Sequence, residues 1–264
     1  MRFILTYCIV IIMVFFTSGC NEHKTQGGDI SLDSNKLNIE DLISKSGQES
    51  ANIVYIEENS ELAAYLVLTS DYNGNCLLLR ERLLDSPMRF NPAGWYAAYY
   101  ENSEIDLFLN GAFYESLSKT VADIITNSAI QITDKDSLGI GGKNITSINR
   151  KVFLLSYSEV NESGSRTNLK EGIPLGYFSD KASRIAYYDS GEAGSWWLRT
   201  PNTADTDVVC GVNVDGAVGV GGIGGTGEIE GEYVNGVRPA FCLPRDTILE
   251  IESLNGKDIY VISQ

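Results

Sequence analysis

Residues 196–243 constrain the fold more than any other stretch of this chain. The stretch opens with the tryptophan pair Trp196 and Trp197 and closes with the segment 236–243. Between them, hydrophobic residues alternate with polar or small ones on both sides of Asp215-Gly216, a dipeptide typical of hairpin turns. We therefore expect three or four antiparallel strands here, with the two indole rings supplying the largest apolar surfaces.

The rest of the chain shows the same hairpin signals around a helical centre. Asn73-Gly74 and Asn255-Gly256 each separate two short hydrophobic runs. Strands are predicted at 53–57, 62–69, 76–80, 151–156, 248–251 and 259–262, and helices at 103–117 and 119–125. We expect loop at 133–149 and a long irregular excursion at 161–195. The order of these elements is strands first, helices in the middle and strands last. This order indicates a single α+β domain, with a few short helices packed on antiparallel sheets.

The N-terminus predicts export and lipidation. An apolar run at 3–16 is too short to span a membrane and is typical of a secretory signal. Ser18, Gly19 and Cys20 follow, and this arrangement resembles the bacterial lipoprotein box, although Thr17 stands where an aliphatic residue is usual. The resemblance implies cleavage before Cys20, lipidation of its sulfur and a lipid anchor on the extracytoplasmic face of the cell membrane. Plain secretion is the alternative.

Domain boundaries follow from these features. Residues 1–19 are predicted to be the signal peptide. Residues 20–50 are polar and lack aromatic residues, so we expect a flexible tether, with a short helix near 37–44. Residues 51–264 then form one globular domain.

Composition limits the partners. The net charge is -15, which repels nucleic acid and anionic membrane surfaces. We therefore expect no nucleic-acid partner.

Several kinds of catalysis are disfavoured by the residues present. The only histidine is His23, in the predicted tether, so the domain has no Ser-His-Asp, Cys-His or histidine-metal set. Carboxylate pairs occur at Asp134/Asp136, Asp205/Asp207 and Glu228/Glu230, and they leave a hydrolase or a calcium site open, with solvated loops as the alternative. The glycine-rich run 219–227 lacks the ending of a phosphate-binding loop. We predict no cofactor, no metal and no catalytic set.

The cysteines of the domain are Cys76, Cys210 and Cys242. Cys210 and Cys242 lie in strands expected to be neighbours, so a bridge is one interpretation and buried free thiols are the other.

Arg199 and Arg238 stand in otherwise apolar strands, where a guanidinium needs a partner. One interpretation is an ion pair or a cation–π contact with Trp196 or Trp197 that stabilises the core. The functional interpretation is that these four residues bind a ligand, with a carboxylate held beside an aromatic ring. An aromatic cluster at 85–100 is likewise either a sugar-stacking platform or the cover of a small core.

Five motifs occur along the chain in the order 65–79, 108–114, 152–159, 196–201 and 236–240. In these motifs and their order, the chain resembles a family of bacterial surface and secreted proteins known as domain of unknown function 6273. This chain departs from the pattern at Asp106-Leu107, where a basic residue is expected, and at Asn149-Arg150, where aspartate is usual. The closing motifs are also similar to those of C-type-lectin-like and sulfatase-modifying-factor-like domains, which implies a lectin-like fold.

Together these features predict a lipid-anchored extracytoplasmic protein with a binding module for a carbohydrate, cell-wall or protein ligand. A binding protein is favoured over an enzyme. The alternatives are a carboxylate-based envelope hydrolase and a structural or assembly lipoprotein that binds another protein.

Overall fold

The computed structural model describes residues 37–44, 52–92, 94–160, 169–219 and 234–263. Contacts group residues 35–264 into one compact unit. Among the described residues, no helix combines the length and the hydrophobicity needed to cross a membrane. The leader, Cys20, Glu228, Glu230 and most of the glycine-rich run lie outside the described residues.

The secondary structure confirms the α+β class. The strands in chain order are β1 (Leu37–Asn38), β2 (Ile53–Glu58), β3 (Glu61–Tyr72), β4 (Asn75–Arg80), β5 (Ser128–Thr133), β6 (Ile145–Arg150), β7 (Val152–Phe153), β8 (Ala186–Tyr187), β9 (Ala193–Gly194), β10 (Trp196–Pro201), β11 (Val209–Val212), β12 (Val218–Gly219), β13 (Ala240–Leu243), β14 (Ile248–Leu254) and β15 (Lys257–Ile262). The α-helices are α1 (Asp41–Ser44), α2 (Glu104–Phe108), α3 (Tyr114–Ser116), α4 (Lys119–Ile124) and α5 (Tyr157–Val160).

An eight-stranded sheet organises the domain, in the order β1-β14-β15-β2-β3-β4-β13-β7. All its pairs are antiparallel except β15 with β2. The predicted hairpins form at Asn73-Gly74 and Asn255-Gly256, where all four residues adopt a positive φ between 52° and 78°. Asn and Gly tolerate that conformation best, so these dipeptides fix the turns and the register of the flanking strands.

The domain begins earlier than the sequence analysis expected. β1 pairs with β14 through Leu37 and Asn38, and Ile39 and Leu42 are fully buried in the hydrophobic core. The apolar residues of this polar stretch are therefore packing residues. The tether expected over 20–50 is corrected at 37–44, which belongs to the domain.

The predicted helix at Ser103 is confirmed with a change in its middle. The Ser103 hydroxyl accepts a hydrogen bond from the Asp106 N–H and caps α2. A π-helical turn over Leu109–Phe113, around Gly111, then separates α2 from α3. The second predicted helix is α4, capped by Ser118.

The tryptophan stretch is divided between two sheets. β10, β11 and β12 form a three-stranded antiparallel sheet whose turn contains Asp215 and Gly216, as predicted. The closing strand β13 belongs instead to the eight-stranded sheet, between β4 and β7. Both sheets are buried at these strands, so the hydrophobic pattern alone could not assign β13 to one of them.

The prediction of a loop at 133–149 is wrong for its last residues, because a strand, β6, begins at Ile145. β6 pairs with β5 along six residues, from Ser128↔Arg150 to Thr133↔Ile145. β6 is half exposed and rich in polar side chains, and it therefore lacks the hydrophobic alternation by which a strand is recognised.

Candidate functional site

A groove of about 850 Å³ is the candidate binding site. It lies between the end of β3 with its turn, the β5–β6 hairpin and the segment 172–177. Seven aliphatic residues line it: Ile43, Val67, Leu68, Ala129, Ile173, Pro174 and Leu175. Its neutral polar side chains are those of Asn52, Thr69, Asn73, Gln131 and Ser147. Tyr72 and Tyr177 add two phenol rings, so the groove combines aromatic surface with amides and hydroxyls.

Tyr72 forms one wall of the groove and is fixed from behind. Its ring stacks on Phe153 with the centroids 5.6 Å apart and an interplanar angle of 20°. Its hydroxyl donates a hydrogen bond to Glu159 Oε1 at 2.7 Å. Burial and the adjacent Glu159 carboxylate raise the pKa of Tyr72, so the phenol stays neutral. The wall is therefore an oriented, uncharged ring.

Glu159 is positioned by the start of α5. The Ser156 N–H donates to Glu159 Oε2 at 2.7 Å, and the Glu159 N–H donates to the Ser156 hydroxyl at 3.2 Å. This reciprocal pair is a capping box, formed where the buried strand β7 leads into the helix. The spacing Ser-x-x-Glu after a hydrophobic run is the sequence signal that identifies Glu159.

Arg199 lies directly below the groove and forms a bidentate ion pair with Glu159. Nη1 and Oε2 are 2.8 Å apart, Nη2 and Oε1 are 2.9 Å apart, and both side chains are fully buried. The remaining donors reach the carbonyls of Gln131, Leu154 and Glu171 at 2.9, 2.7 and 2.6 Å. All five guanidinium N–H groups thus have acceptors. Burial lowers the pKa of Arg199, but Glu159, Tyr72 and Glu171 together raise it by more, so Arg199 remains charged.

Glu171 fixes the opposite wall. Its carboxylate accepts hydrogen bonds from the Thr133 N–H at 2.5 Å, from the Thr133 hydroxyl at 2.6 Å and from the Thr200 hydroxyl. Burial raises its pKa, while Arg199 and the threonine donors oppose that shift. The next residue, Gly172, lines the groove, and a Cβ there would lie 2.6 Å from Glu159 Oε1. One buried polar network therefore joins the two walls.

Tyr72 and Glu171 were not identified as site residues from the sequence. Tyr72 lies beyond the predicted strand 62–69, beside the Asn73-Gly74 turn, although it is the last residue of the observed β3. Glu171 lies in the excursion 161–195, where no periodic pattern marks it. Glu159 and Glu171 are adjacent to residues that line the groove, but both are fully buried and already accept several hydrogen bonds. In this arrangement neither offers a free oxygen to a ligand in the groove.

The four residues proposed from sequence to bind a ligand lie in the core. Trp196, Trp197 and Arg199 have no exposed surface, and Arg238 is 2% exposed. The indole N–H groups donate to the carbonyls of Arg184 and Met88 at 3.0 and 2.8 Å. Ligand binding by these four residues is therefore not supported by the geometry. Burial of large rings and the ion pair of Arg199 support the alternative, that they stabilise the core.

Arg238 is buried without a carboxylate among the described residues. Its Nε donates to the Arg80 carbonyl at 2.8 Å, its Nη2 donates to the Glu81 carbonyl at 3.1 Å, and its guanidinium lies 5.2 Å from the centroid of the Trp196 ring. Nη1 has no hydrogen-bond partner in the described part of the chain. Burial lowers the pKa of Arg238 to about 10. The cation–π contact expected from sequence is present.

The acidic pairs that the structure describes serve as loop contacts. Asp134 accepts a hydrogen bond from the Asp136 N–H at 3.0 Å and caps a 3₁₀ turn. Asp205 accepts one from the Asn202 amide at 2.9 Å. In the described ranges no group of three or more His, Cys, Asp or Glu side chains is arranged to hold a metal ion.

The cysteines Cys76, Cys210 and Cys242 are buried free thiols. β11 and β13, which carry Cys210 and Cys242, belong to different sheets. The bridge considered from sequence does not form, because the two strands are not neighbours. Burial raises the pKa of Cys76 to about 11 and that of Cys242 to about 12.

The aromatic cluster at 85–100 divides into two parts. Phe90 and Tyr100 are buried, and Phe90 packs edge-on against Trp197 with the ring centroids 5.7 Å apart. Trp95 is 87% exposed. The cluster is therefore partly core cover and partly free aromatic surface.

These observations define a class: an α+β domain with a buried ion-pair network beneath a neutral, partly aromatic groove. A family model described as "Domain of unknown function (DUF6273)" matches residues 73–245, and the chain belongs to this family. No curated protein and no solved structure matched the chain.

Proposed function

We propose that this protein is a lipid-anchored, extracytoplasmic lipoprotein whose domain binds a saccharide or another cell-wall ligand in the groove between Tyr72 and Tyr177. The observation that carries the proposal is the groove itself. Its volume of about 850 Å³ lies in the range of small-molecule sites, and its floor is fixed by the Glu159–Arg199 network. Phenol rings offer apolar faces to sugar rings, while amides and hydroxyls pair with sugar hydroxyl groups. The lectin-like closing motifs are in keeping with this ligand class.

The test of binding is an array of glycans and peptidoglycan fragments probed with the full chain. Gly176 lines the groove, and a Cβ built there meets no atom within 4 Å. Gly176→Phe should therefore obstruct the groove and abolish binding without a clash in the protein. Gly111 also has open space around its Cβ but lies outside the groove, so Gly111→Phe is the matched control. Binding that survives Gly176→Phe in a folded protein would move the site elsewhere.

The lipid anchor is tested separately. Metabolic labelling with a fatty-acid analogue should label the wild-type chain and leave Cys20→Ser unlabelled, and the variant should leave the membrane fraction. Equal labelling of both chains would contradict the anchor at Cys20.

A second function, docking of a protein partner, is supported by an exposed patch on neighbouring loops. Trp95 and Ile140 are 87% and 78% exposed. The loops that carry them are both hydrogen-bonded to the segment 203–206, through Ala98 N–H to the Thr206 carbonyl and Gly139 N–H to the Asp205 carbonyl. Photo-crosslinking from position 95 in cells should capture a partner if this function holds, and the same crosslinker at the exposed Leu107 should not.

A further inference from the structure

The charges around the groove are unequal. Among the residues that line it in the described part of the chain, Asp71 is the only one with a charged side chain. None of the described residues that line the groove is a Lys, Arg or His, and Arg199 beneath the floor is already neutralised by Glu159. An anionic ligand would therefore lose hydration in the groove without gaining a cationic partner.

Asp71 is placed to act on a ligand. It is exposed beside Tyr72 near the end of β3, and its N–H donates to the Thr69 hydroxyl at 3.1 Å. Its carboxylate forms no ion pair with the described residues. Arg245 lies close enough to interact electrostatically with Asp71, but its guanidinium is bound to Glu40, with Nε to Oε2 at 2.7 Å. The negative charge of Asp71 thus stays available at the rim of the groove.

The electrostatic field of the whole chain is negative, like the charge of Asp71. The net charge of -15 attracts cations toward any cleft that exposes a carboxylate and repels anions from it. The neighbouring phenol of Tyr72 adds no charge to this field, because its pKa is raised and it remains neutral.

We infer that the groove selects saccharides without acidic groups, that it favours those with a free amine, and that Asp71 is the residue that sets this selection. The inference rests on the proposed saccharide-binding function and adds the charge class of the ligand. The amine would be held as an ammonium group against the Asp71 carboxylate, while the sugar rings lie against Tyr72 and Tyr177.

Three tetrasaccharides of equal length test the inference with the full chain: a tetramer of glucosamine (cationic), a tetramer of N-acetylglucosamine (neutral) and a tetramer of galacturonic acid (anionic). At low salt we expect the cationic probe to bind about three- to five-fold more tightly than the neutral one, as a solvent-accessible ion pair allows, and the anionic probe not to bind. Added salt should reduce the difference.

Variants assign the selection to Asp71. Asp71→Asn should bring the cationic and neutral probes within about two-fold of each other, and Asp71→Lys should weaken the cationic probe and admit the anionic one. Asp258→Asn removes the same charge from β15, outside the groove, and should preserve the wild-type order.

Preferential binding of the galacturonate tetramer, or an unchanged order in Asp71→Asn, would overturn the inference while leaving the groove as a binding site. Silence with all three probes would also overturn it. The proposed function is judged independently, by the wider array and the Gly176→Phe variant.

Discussion

Arg199 and Glu159 form a bidentate ion pair that is closed to solvent, with N–O distances of 2.8 and 2.9 Å. The pair joins β10, the strand that also contains the two tryptophans, to the capping box of α5. Both partners also form hydrogen bonds to groups that shape the groove. Four predictions follow from this arrangement and from the neighbouring contacts.

Glu159→Gln should lower the free energy of unfolding by about 3–5 kcal/mol, because it leaves the Arg199 charge buried without its counter-charge. Urea denaturation measures the loss. The exposed pair Lys119–Asp123 provides the control, since Asp123→Asn should cost less than about 0.5 kcal/mol. Equal effects of the two substitutions would contradict the role assigned to Glu159.

The three tryptophans should differ sharply. Trp196→Ala and Trp197→Ala each remove a fully buried indole and should cost about 3–5 kcal/mol, enough to prevent stable folding of many domains. Trp95→Ala, at an 87% exposed position, should change stability by less than about 0.5 kcal/mol. Circular dichroism and urea denaturation distinguish these outcomes. A folded Trp196→Ala variant of wild-type stability would remove this residue from the core.

Glu171 should give the domain a specific pH dependence. Its pKa in the folded state is raised, mainly by burial, so folding favours the protonated carboxyl. This contribution to stability is complete below the ordinary carboxyl pKa and is lost as the pH rises through the folded-state pKa. In urea denaturation between pH 4 and 8, the stability of the wild type relative to Glu171→Gln should therefore fall as pH rises. Parallel profiles for the two proteins would show that Glu171 does not titrate as described.

Asp106 and Arg150 belong to the two dipeptides, Asp106-Leu107 and Asn149-Arg150, at which this chain was expected to depart from the family pattern, and they contact each other. Arg150 Nε and Nη2 each approach an Asp106 carboxylate oxygen at 2.8 Å, and the Asp106 side chain is 2% exposed. Asp106 and Arg150 thus form an ion pair in which the carboxylate is buried and the guanidinium is partly exposed.

A charge-swap cycle tests this relationship. Arg150→Asp should destabilise the domain by about 3 kcal/mol, because it places two carboxylates together. Combining it with Asp106→Arg should recover about 1–2 kcal/mol, since the opposite charges meet again. The recovery should be incomplete, because Asp106 also accepts hydrogen bonds from Asn102 N–H and the Asn110 amide. Additive losses in the double variant would show that the pair is not coupled.

Local signals made much of the fold predictable. Asn73-Gly74, Asp215-Gly216 and Asn255-Gly256 each specify a turn through their backbone preferences, and the Ser103 cap specifies the start of α2. These features depend on a few adjacent residues, so the sequence contains them in full. β6 was missed for the converse reason: its polar residues form a strand only because β5 supplies the backbone partners.

The candidate site was less predictable than the fold. Arg199 was singled out correctly as a guanidinium in need of a partner, but its partner Glu159 is 40 residues away. Glu171 belongs to an irregular segment, and its burial depends on Thr133 and Thr200 from two other strands.

The sequence by itself determined the hairpins, the helix caps, the α+β class and the family. Only the tertiary structure decided that Trp196, Trp197, Arg199 and Arg238 face the core, that residues 37–44 belong to the domain and that Tyr72 and Glu171 hold opposite walls of one groove. Turns and caps arise from interactions between neighbours in the chain. Burial and the pairing of charges arise from segments that are distant in sequence, and their partners exist only once those segments have packed together.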